Sequence, residues 1–186
     1  MSLLSSDQKQ VNMKDTDLLL RRIAENDETA FHDLYEQLSA AVFAYALSVV
    51  KNRADAEDIM QETFLRIRSA AHLYDSRGKA KAWIFTIVRN LCRMRFRDTN
   101  KMISTPADEM TYMDELSVIE DHETRITLQS SFKVLNDSER EIILLHAVSG
   151  MKHREIANVL GIPLATVLSK YHRGLKKLRV YLEGVR

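Results

Sequence analysis

The sequence is poor in glycine, proline and cysteine. Among its 186 residues there are 5 Gly, 2 Pro and 1 Cys. Glycine therefore falls well below its usual share of about 7%, and two prolines are too few for the many turns of a β-sandwich or β-barrel. We therefore expect an all-α protein, built as one domain of ordinary size or as two small ones.

The residues that most often carry metal or catalytic chemistry are also few or scattered. The single cysteine, Cys92, excludes an intrachain disulfide and a metal site made of several cysteines. The six histidines lack the spacing of metal ligands. No HExxH, P-loop, GxSxG or GxGxxG motif occurs. We therefore expect no metal, no cofactor and no catalytic residue.

The sequence also lacks a long apolar run. The longest stretch, residues 40–50, is interrupted by Ser48 and is far shorter than the roughly 20 residues that span a bilayer. It is typical of a buried helix. Residues 1–6 contain neither the basic leader nor the apolar stretch of a signal peptide. We expect a cytoplasmic protein that does not insert into a membrane, with Cys92 in reducing surroundings.

Charged residues are abundant but segregated, which the formal net charge of +1 conceals. Residues 77–101 carry eight cations and one acid, and residues 152–186 carry eight cations and two acids. Acids outnumber cations in residues 1–76 and again in residues 102–151. Two basic segments separated by acidic ones favour two contact surfaces for a polyanion. Ordinary solvated helix faces are the alternative interpretation.

Residues 99–124 divide the chain into two parts. They contain seven acids, one lysine, one proline and no sustained helical stripe, a composition that indicates a flexible linker. The linker separates an amino-terminal helical domain at residues 14–98 from a carboxy-terminal domain at residues 125–186. As a coil it has an end-to-end distance of roughly 28 Å. We therefore expect the two domains to tumble independently in the free protein.

The carboxy-terminal domain has the pattern of a helix-turn-helix. Residues 138–141 have capping-box spacing at the start of one helix. A short helix follows at about residues 153–160, and Gly161 and Pro163 then lead into a longer helix that ends near Leu182. Two helices joined by a short turn with glycine match the DNA-binding motif.

The longer helix is amphipathic. At 100° per residue its buried stripe consists of Val167, Tyr171, Gly174, Leu178 and Leu182. The opposite side carries hydroxyls and cations that can reach phosphates and base edges in a major groove. These residues are Thr166, Ser169, Lys170, Arg173, Lys176 and Lys177. We interpret this side as a DNA-binding face, with a solvated helix face as the alternative.

A helix at about residues 54–69 combines a complete apolar face with an acidic one. The acidic face surrounds an exposed leucine, and an apolar centre with a charged rim is typical of a protein interface. Its residues are Asp55, Asp58, Gln61, Glu62, Leu65 and Arg66. The face therefore favours a basic protein partner, and a solvated helix face is again the alternative.

A second helix, at about residues 81–97, has a core stripe that runs from Trp83 to Met94. Its other side alternates aromatic rings with cations, and the basic loop 77–79 precedes it. The alternating residues are Phe85, Arg89, Arg93 and Phe96. Because bases stack on rings while cations follow the backbone, this pattern indicates binding of single-stranded nucleic acid. Packing of either ring against a neighbouring helix is the alternative.

Three segments of the chain together resemble one protein family. They are DAEDIMQETFLR at residues 55–66, AWIFTIVRNL at 82–91 and GIPLATVLS at 161–169. In this order they resemble the compact bacterial sigma factors of the extracytoplasmic-function (ECF) type, over about residues 17–182. The resemblance implies a two-domain transcription initiation factor, not an enzyme, that binds core RNA polymerase, directs it to specific promoters and helps to melt the DNA.

The resemblance also implies roles for the individual surfaces. Residues 14–98 would form a sigma region 2-like domain, whose acidic helix binds the polymerase beta-prime clamp. Residues 125–186 would form a region 4-like domain, whose last helix reads the minus-thirty-five element. The minus-ten element would be bound by Lys79, Trp83, Phe85, Arg89, Asn90 and Arg93. Besides polymerase and promoter DNA, an anti-sigma factor would be a partner.

A different class of protein shares part of this pattern. A stand-alone helix-turn-helix regulator, with an amino-terminal domain that senses a ligand or forms a dimer, would bind a specific duplex by itself. The aromatic and basic helix at residues 81–97 suits separated strands rather than a duplex. The sequence therefore favours the sigma factor over the stand-alone regulator.

Overall fold

The computed structural model describes residues 16–75, 78–102 and 133–184, and all regular structure in these ranges is helical. Helix α1 covers the described residues 16–24. The other helices are α2 (Glu28–Val50), α3 (Arg53–Ala70), α4 (Ala80–Met102), α5 (Asp137–Ala147), α6 (His153–Leu160) and α7 (Leu164–Gly184), with a 3₁₀ turn at Ala71–Leu73. The predicted all-α fold is confirmed.

Some sequence predictions lie outside the described residues. Residues 103–124 of the predicted linker, residues 1–15 and Arg77 belong to this group. Helix α4 continues to Met102, past the domain boundary predicted at residue 98.

Polar side chains define where two of the amino-terminal helices begin. The Asp27 carboxylate accepts hydrogen bonds from the Thr29 and Ala30 backbone N–H groups at 2.9 and 3.1 Å, at the start of α2. The Ala30 bond, followed by the Arg22 bond, holds the pKa of Asp27 below its ordinary value. Asn52 caps α3 in the same way by accepting from the Asp55 N–H at 3.0 Å. Each cap satisfies an N–H group that has no partner within its helix.

The start of α5 differs from the predicted capping box at residues 138–141. The N-cap is Asn136, whose side chain accepts from the Glu139 N–H at 2.9 Å, and the Glu139 carboxylate accepts from the Asn136 N–H at 3.1 Å. Asn136 has the extended backbone that an N-cap requires, and Ser138 already lies inside the helix. The predicted box was therefore placed two residues too late.

The turn between α6 and α7 is the predicted one. Gly161 has φ of +67°, and the Ile162 N–H donates to the Ala157 carbonyl at 3.1 Å. The Gly161 N–H donates to the Asn158 carbonyl at 3.3 Å, which completes a Schellman motif. Glycine adopts this backbone conformation without steric cost, so it ends α6 and turns the chain into α7. The helix-turn-helix prediction is confirmed.

The amino-terminal core lies between α2, α3 and α4. Residues 40–50 contribute five buried side chains, as predicted for a buried helix: Ala41, Val42, Tyr45, Ala46 and Leu47. Phe64 of α3 packs against Tyr35 of α2, with ring centroids 4.7 Å apart. These contacts fix the face of α3 that points inwards and therefore the acidic face that points to solvent.

The predicted stripe of α7 is buried only in its first half. Val167 and Gly174 are buried, Tyr171 and Leu178 are half-buried, and Leu182 is 42% exposed. The predicted burial of Leu182 is therefore wrong. Helix α5 meets α7 around Gly174, and Leu182 lies two turns further along, beyond these contacts. Met94 of α4 was also predicted to be in the core but is 43% exposed.

The two domains pack against each other. Helix α5 contacts α2, and α6 contacts α4, so the buried side chains of both domains form one continuous cluster. Lys81 of α4 donates to the Ser149 carbonyl at 2.8 Å, and Tyr45 of α2 donates to the Glu141 carboxylate at 2.7 Å. The expectation of two independently moving domains does not hold for this arrangement, because buried polar contacts join them.

Gly174 allows the close approach of α7 to α5. A Cβ atom at this position would lie 2.7 Å from Ile143 Cδ1 and 3.4 Å from Leu135 Cδ2. We predict that Gly174→Val lowers the free energy of unfolding by about 1 to 3 kcal/mol, because it overpacks this contact. Urea unfolding measures the change. Leu175→Val, at an exposed neighbouring position, is the control for the cost of a β-branched residue in a helix. Equal losses in the two variants would contradict the prediction.

Two stacked histidines in the carboxy-terminal domain predict that the folded protein is less stable at low pH. The His146 and His153 rings lie 4.5 Å apart and nearly parallel, and Nε2 of His153 is buried without a hydrogen-bond partner among the described residues. Burial lowers the pKa of His153 below its ordinary 6.5, and nearby His146 and His172 lower it further. Below pH 6.5 the unfolded chain therefore binds this proton more readily than the folded chain does, and stability is lost as pH falls.

We expect the melting temperature to decrease between about pH 7.5 and pH 5.5, and the decrease to be smaller in His153→Gln. The control is His32→Gln, which changes an exposed histidine on α2 and leaves the wild-type pH dependence in place. A decrease in His153→Gln as large as in the wild type would exclude His153 as its source.

Candidate functional surfaces

The outer side of α7 presents hydroxyl and cationic side chains, and we call it the α7 surface. Ser169, Arg173 and Lys176 are exposed, and Thr166 and Lys170 are half-buried beside them. The Arg173 guanidinium donates to Ser169 Oγ at 3.4 Å. The structure thus brings five of the six predicted DNA-binding residues to one face of the second helix of the helix-turn-helix.

The sixth predicted residue, Lys177, has a different role. Its ammonium donates to Glu139 Oε2 at 2.7 Å, and the Glu139 side chain is fully buried. Burial tends to raise the pKa of Glu139, but the hydrogen bonds from Lys177 and the Asn136 N–H outweigh it and hold that pKa below its ordinary value. Lys177 therefore joins α7 to α5, because it lies one turn after Gly174, beside the buried stripe.

An exposed row on α4, together with the loop before it, forms the α4 surface. Asn90 and Arg93 are exposed, as is Lys79 in the preceding loop. Phe96, one turn after Arg93, is 51% exposed. Trp83 is half-buried against the Tyr74 ring, with centroids 5.4 Å apart.

Tyr74 also fixes the position of the loop that leads into α4. Its hydroxyl donates to Asp17 Oδ1 at 2.5 Å and accepts from the Lys79 N–H at 3.0 Å. The hydroxyl thus connects α1 to the residue just before α4. The start of the α4 surface is therefore held by a hydrogen-bonded side chain rather than by the loop alone.

The predicted exposure of Phe85 is wrong. Its side chain is 1% exposed and packs edge-to-face against Tyr45, with ring centroids 5.7 Å apart. Helix α4 contacts α2 as well as α3 and α6, so a second neighbour covers the side on which Phe85 lies. Of the two rings interpreted as stacking platforms, only Phe96 is open to solvent.

Arg89 is also removed from solvent in this arrangement. Its side chain is 16% exposed, and its guanidinium donates to the Val159 and Leu160 carbonyls at 3.0 and 3.2 Å. Arg89 Nε lies 3.4 Å from Glu141 Oε1. The sequence predicted that this side chain faces nucleic acid. In the structure it faces α5 and α6. The helical periodicity of α4 could not indicate this direction, because it carries no information about helices from the other domain.

The acidic side of α3 forms a third surface, the α3 surface. Leu65 is 62% exposed, and Asp58 and Gln61 are exposed beside it. Two of the predicted acids also hold α4: Arg95 contacts Asp55 at 2.9 Å and Asp58 at 2.7 Å.

The remaining charged pair of the α3 surface lies within one helix. Glu62 accepts from Arg66 at 2.7 Å, one turn along α3. The structure therefore places the predicted residues on one face, with charged side chains around an apolar centre.

Sequence reasoning missed a groove of about 930 Å³ between α4 and α5. Cations line it from both domains, among them Lys51, Arg93, Arg97 and Arg140, and Phe96 contributes an apolar wall. The run of arginines at residues 93–97 was the sequence signal for one side of this groove. The other side depends on how the domains pack, which the sequence does not show.

Three observations concern thiol chemistry, metal binding and membrane spans in the described residues. Burial raises the pKa of the Cys92 thiol to about 12, so this cysteine lacks the thiolate that nucleophilic or redox chemistry requires. In the part of the chain that the structure describes, no three His, Cys, Asp or Glu side chains are placed to hold a metal ion. No helix in the same ranges is long and apolar enough to cross a membrane.

Two segments of the chain match known protein families. The family described as Sigma-70 region 2 matches residues 34–102, and the family described as Sigma-70, region 4 matches residues 127–178. The α3 surface and the α4 surface lie within the first match, and the α7 surface lies within the second. The order of the two matches is the order of the two domains.

Similar proteins extend over nearly the whole chain. The ECF RNA polymerase sigma factor SigK of Mycobacterium tuberculosis is 27% identical over 180 residues, covering 91% of this chain and 94% of SigK. The structure of CnrH in complex with the cytosolic domain of CnrY is similar with a TM-score of 0.65 and 25% identity, covering 91% of this chain and 98% of that chain.

A second solved structure supports the fold. The sigma factor RpoE from Bartonella quintana, in complex with the anti-sigma factor NepR, has a TM-score of 0.63 and 21% identity. That likeness covers 84% of this chain and 98% of the other. The two family matches have the order of the two domains, and together they contain all three surfaces. The similar proteins are covered over nearly their full length. The chain belongs to the sigma-70 family, among the RNA polymerase sigma factors of the ECF type.

Proposed function

We propose that this sigma factor binds core RNA polymerase through α3, the melted minus-ten element through α4 and the minus-thirty-five element through α7. The observation that carries the proposal is the separation of three chemically different surfaces on three helices. One is acidic with an apolar centre, one is aromatic and basic, and one is basic with hydroxyls. The factor acts in the cytoplasm and contributes binding, while polymerase supplies the catalysis.

The α3 surface suits a basic partner, and we assign it to the beta-prime clamp of polymerase. Leu65 is 62% exposed at its centre, and Asp58 and Gln61 surround it. An apolar centre contributes most of the binding energy of such an interface. The acids attract and orient a basic partner. Asp55 and Glu62 complete the charged rim.

The α4 surface suits the unpaired strand of a melted promoter. Arg93 and Lys79 can follow its phosphates, and Asn90 presents an amide to base edges. Trp83 and the exposed ring of Phe96 supply aromatic surface on which bases stack, each stacked base being worth roughly 1 to 3 kcal/mol. Phe85 has no part in this surface, because it is buried.

The α7 surface suits duplex DNA. In a helix-turn-helix the first turns of the second helix enter the major groove, and Thr166, Ser169 and Lys170 lie in the first two turns of α7. Arg173 follows on the same side. Lys177, one turn after Arg173, pairs with Glu139 at 2.7 Å and so holds α7 against α5.

The domain boundaries and a further partner follow from these assignments. We place the region 2-like domain at residues 14–102, up to the end of α4, the linker at 103–124 and the region 4-like domain at 125–186. An anti-sigma factor is the further partner. Support for it comes from the RpoE structure, which contains the anti-sigma factor NepR.

Leu65→Arg tests the polymerase contact. Because Asp58 also holds Arg95, Leu65 is the cleaner probe of the α3 surface. We expect the variant to reduce co-purification with core polymerase roughly tenfold or more, since it places a cation against a basic partner. Leu18→Arg, at another exposed leucine on α1, is the matched control and retains binding. Equal retention in both variants would remove α3 from the interface.

Run-off transcription with core polymerase tests the whole function, and Arg173→Ala tests the α7 surface. If Arg173 binds guanine, the loss is about 1 to 3 kcal/mol with relaxed preference at one base pair. If it binds only phosphate, affinity falls equally for all sequences. The slope of the logarithm of the binding constant against the logarithm of the salt concentration then becomes shallower by roughly 0.9. Arg179→Ala, on a different side of α7, is the control.

Two results would contradict the assignment. Unchanged promoter binding in Arg173→Ala would remove Arg173 from the DNA contact. A wild-type chain that binds a specific duplex alone but supports no transcription with core polymerase would instead identify a stand-alone regulator.

A further inference from the structure

The contact between the two domains converges on one carboxylate. Glu141 of α5 accepts a hydrogen bond from the Tyr45 hydroxyl at 2.7 Å, and Arg89 Nε lies 3.4 Å from the same oxygen. Tyr45 is 1% exposed, and the Arg89 and Glu141 side chains are 16% and 25% exposed. Because the group is mostly removed from water, these interactions are less screened than a surface ion pair.

Arg89 also occupies the carboxy-terminal end of α6. The last carbonyls of a helix lack partners within the helix and carry the negative end of its dipole. The Schellman turn at Gly161 uses the carbonyls of Ala157 and Asn158. Arg89 donates to the next two, those of Val159 and Leu160. Its guanidinium therefore satisfies acceptors that the turn leaves open.

Lys81 repeats this arrangement two turns earlier on α4. Its ammonium donates to the carbonyl of Ser149, just after the end of α5, at 2.8 Å. Burial lowers the pKa of Lys81, which is consistent with its enclosed position. Two cations of the helix that we assign to promoter DNA thus bind oxygen acceptors at the ends of α5 and α6.

We propose that this sigma factor closes on itself without a second protein, and that the Glu141 contact keeps Arg89 from binding DNA. The second part rests on the α4 role proposed above and adds Arg89 to the cations that bind the unpaired strand once the domains separate. A guanidinium that is directed at Glu141 and two carbonyls cannot also bind a phosphate of the unpaired strand. The apparent affinity of the free chain for single-stranded DNA is therefore reduced by the fraction of open molecules.

Energy transfer between dyes on the two domains measures closure in the full chain. The dyes are attached to cysteines introduced as His32→Cys on α2 and Arg179→Cys on α7, both exposed positions. Cys92 is buried and its pKa is raised to about 12, so it does not compete for the label. Fluorescence anisotropy of a labelled single-stranded oligonucleotide measures DNA binding by the same protein.

Glu141→Gln removes the charge that Arg89 faces and retains an acceptor for Tyr45. We expect lower energy transfer and about three- to tenfold tighter binding of the oligonucleotide. Tyr45→Phe retains the buried ring and acts in the same direction. Asp137→Asn is the matched control, since among the described residues this exposed carboxylate pairs with Arg140 of the same helix at 3.3 Å. We expect both readouts to stay at wild-type values.

The outcomes separate the two parts of the proposal. Wild-type energy transfer in both Glu141→Gln and Tyr45→Phe would overturn closure by this contact. Lower transfer without tighter binding would overturn the effect on Arg89. Arg93→Ala lies outside the contact and tests the α4 role by itself: it weakens oligonucleotide binding without changing transfer. Wild-type oligonucleotide binding in Arg93→Ala would contradict the role proposed for α4, and it would leave the conclusion about domain closure unchanged.

Discussion

The packing of α4 is the constraint on which the rest of the structure depends. Helices α2, α3 and α6 all contact it, so only a narrow part of its circumference remains open. Covered cations need acceptors, because an unpaired charge away from water is costly. Lys81 accordingly binds the Ser149 carbonyl just after α5, and Arg89 binds carbonyls at the end of α6. Arg95, which is more exposed, pairs with Asp55 of α3. Asn90 and Arg93 remain on the open part.

The ion pairs of the molecule differ in what they contribute. The pairs of Arg95 with Asp55 and Asp58 lie near the surface, where such pairs are worth about 0 to 1 kcal/mol each. Lys177 and Glu139 form a different kind of pair, since Glu139 is fully buried and loss of Lys177 would remove the cation that donates to it. We therefore expect substitutions in the Arg95 pairs of the α3 surface to destabilise the protein less than substitutions in the Lys177–Glu139 pair.

The two surfaces that we propose bind DNA differ in how far they are exposed in this arrangement. The α7 surface is open at Ser169, Arg173 and Lys176, while Gly174 and Lys177 make the contacts with α5. The α4 surface is open only in part, because α6 covers Arg89. Under the roles proposed for α4 and α7, a chain that binds both promoter elements loses the contacts of Arg89 and Lys81. The energy of those contacts therefore couples DNA binding to domain separation.

The sequence by itself determined the helices, the helix-turn-helix and the acidic face of α3. These depend on local rules: the 3.6-residue period, the αL backbone of Gly161 and the capping chemistry of short polar side chains. Even there, the pattern placed the cap of α5 at Ser138, two residues after the cap that the structure shows at Asn136. Only the tertiary structure decided that Phe85 is buried, that Arg89 is mostly removed from solvent and that Lys177 pairs with Glu139. Each lies on a flank of its helix, where burial depends on a second neighbour distant in sequence, and periodicity within one helix carries no information about that neighbour.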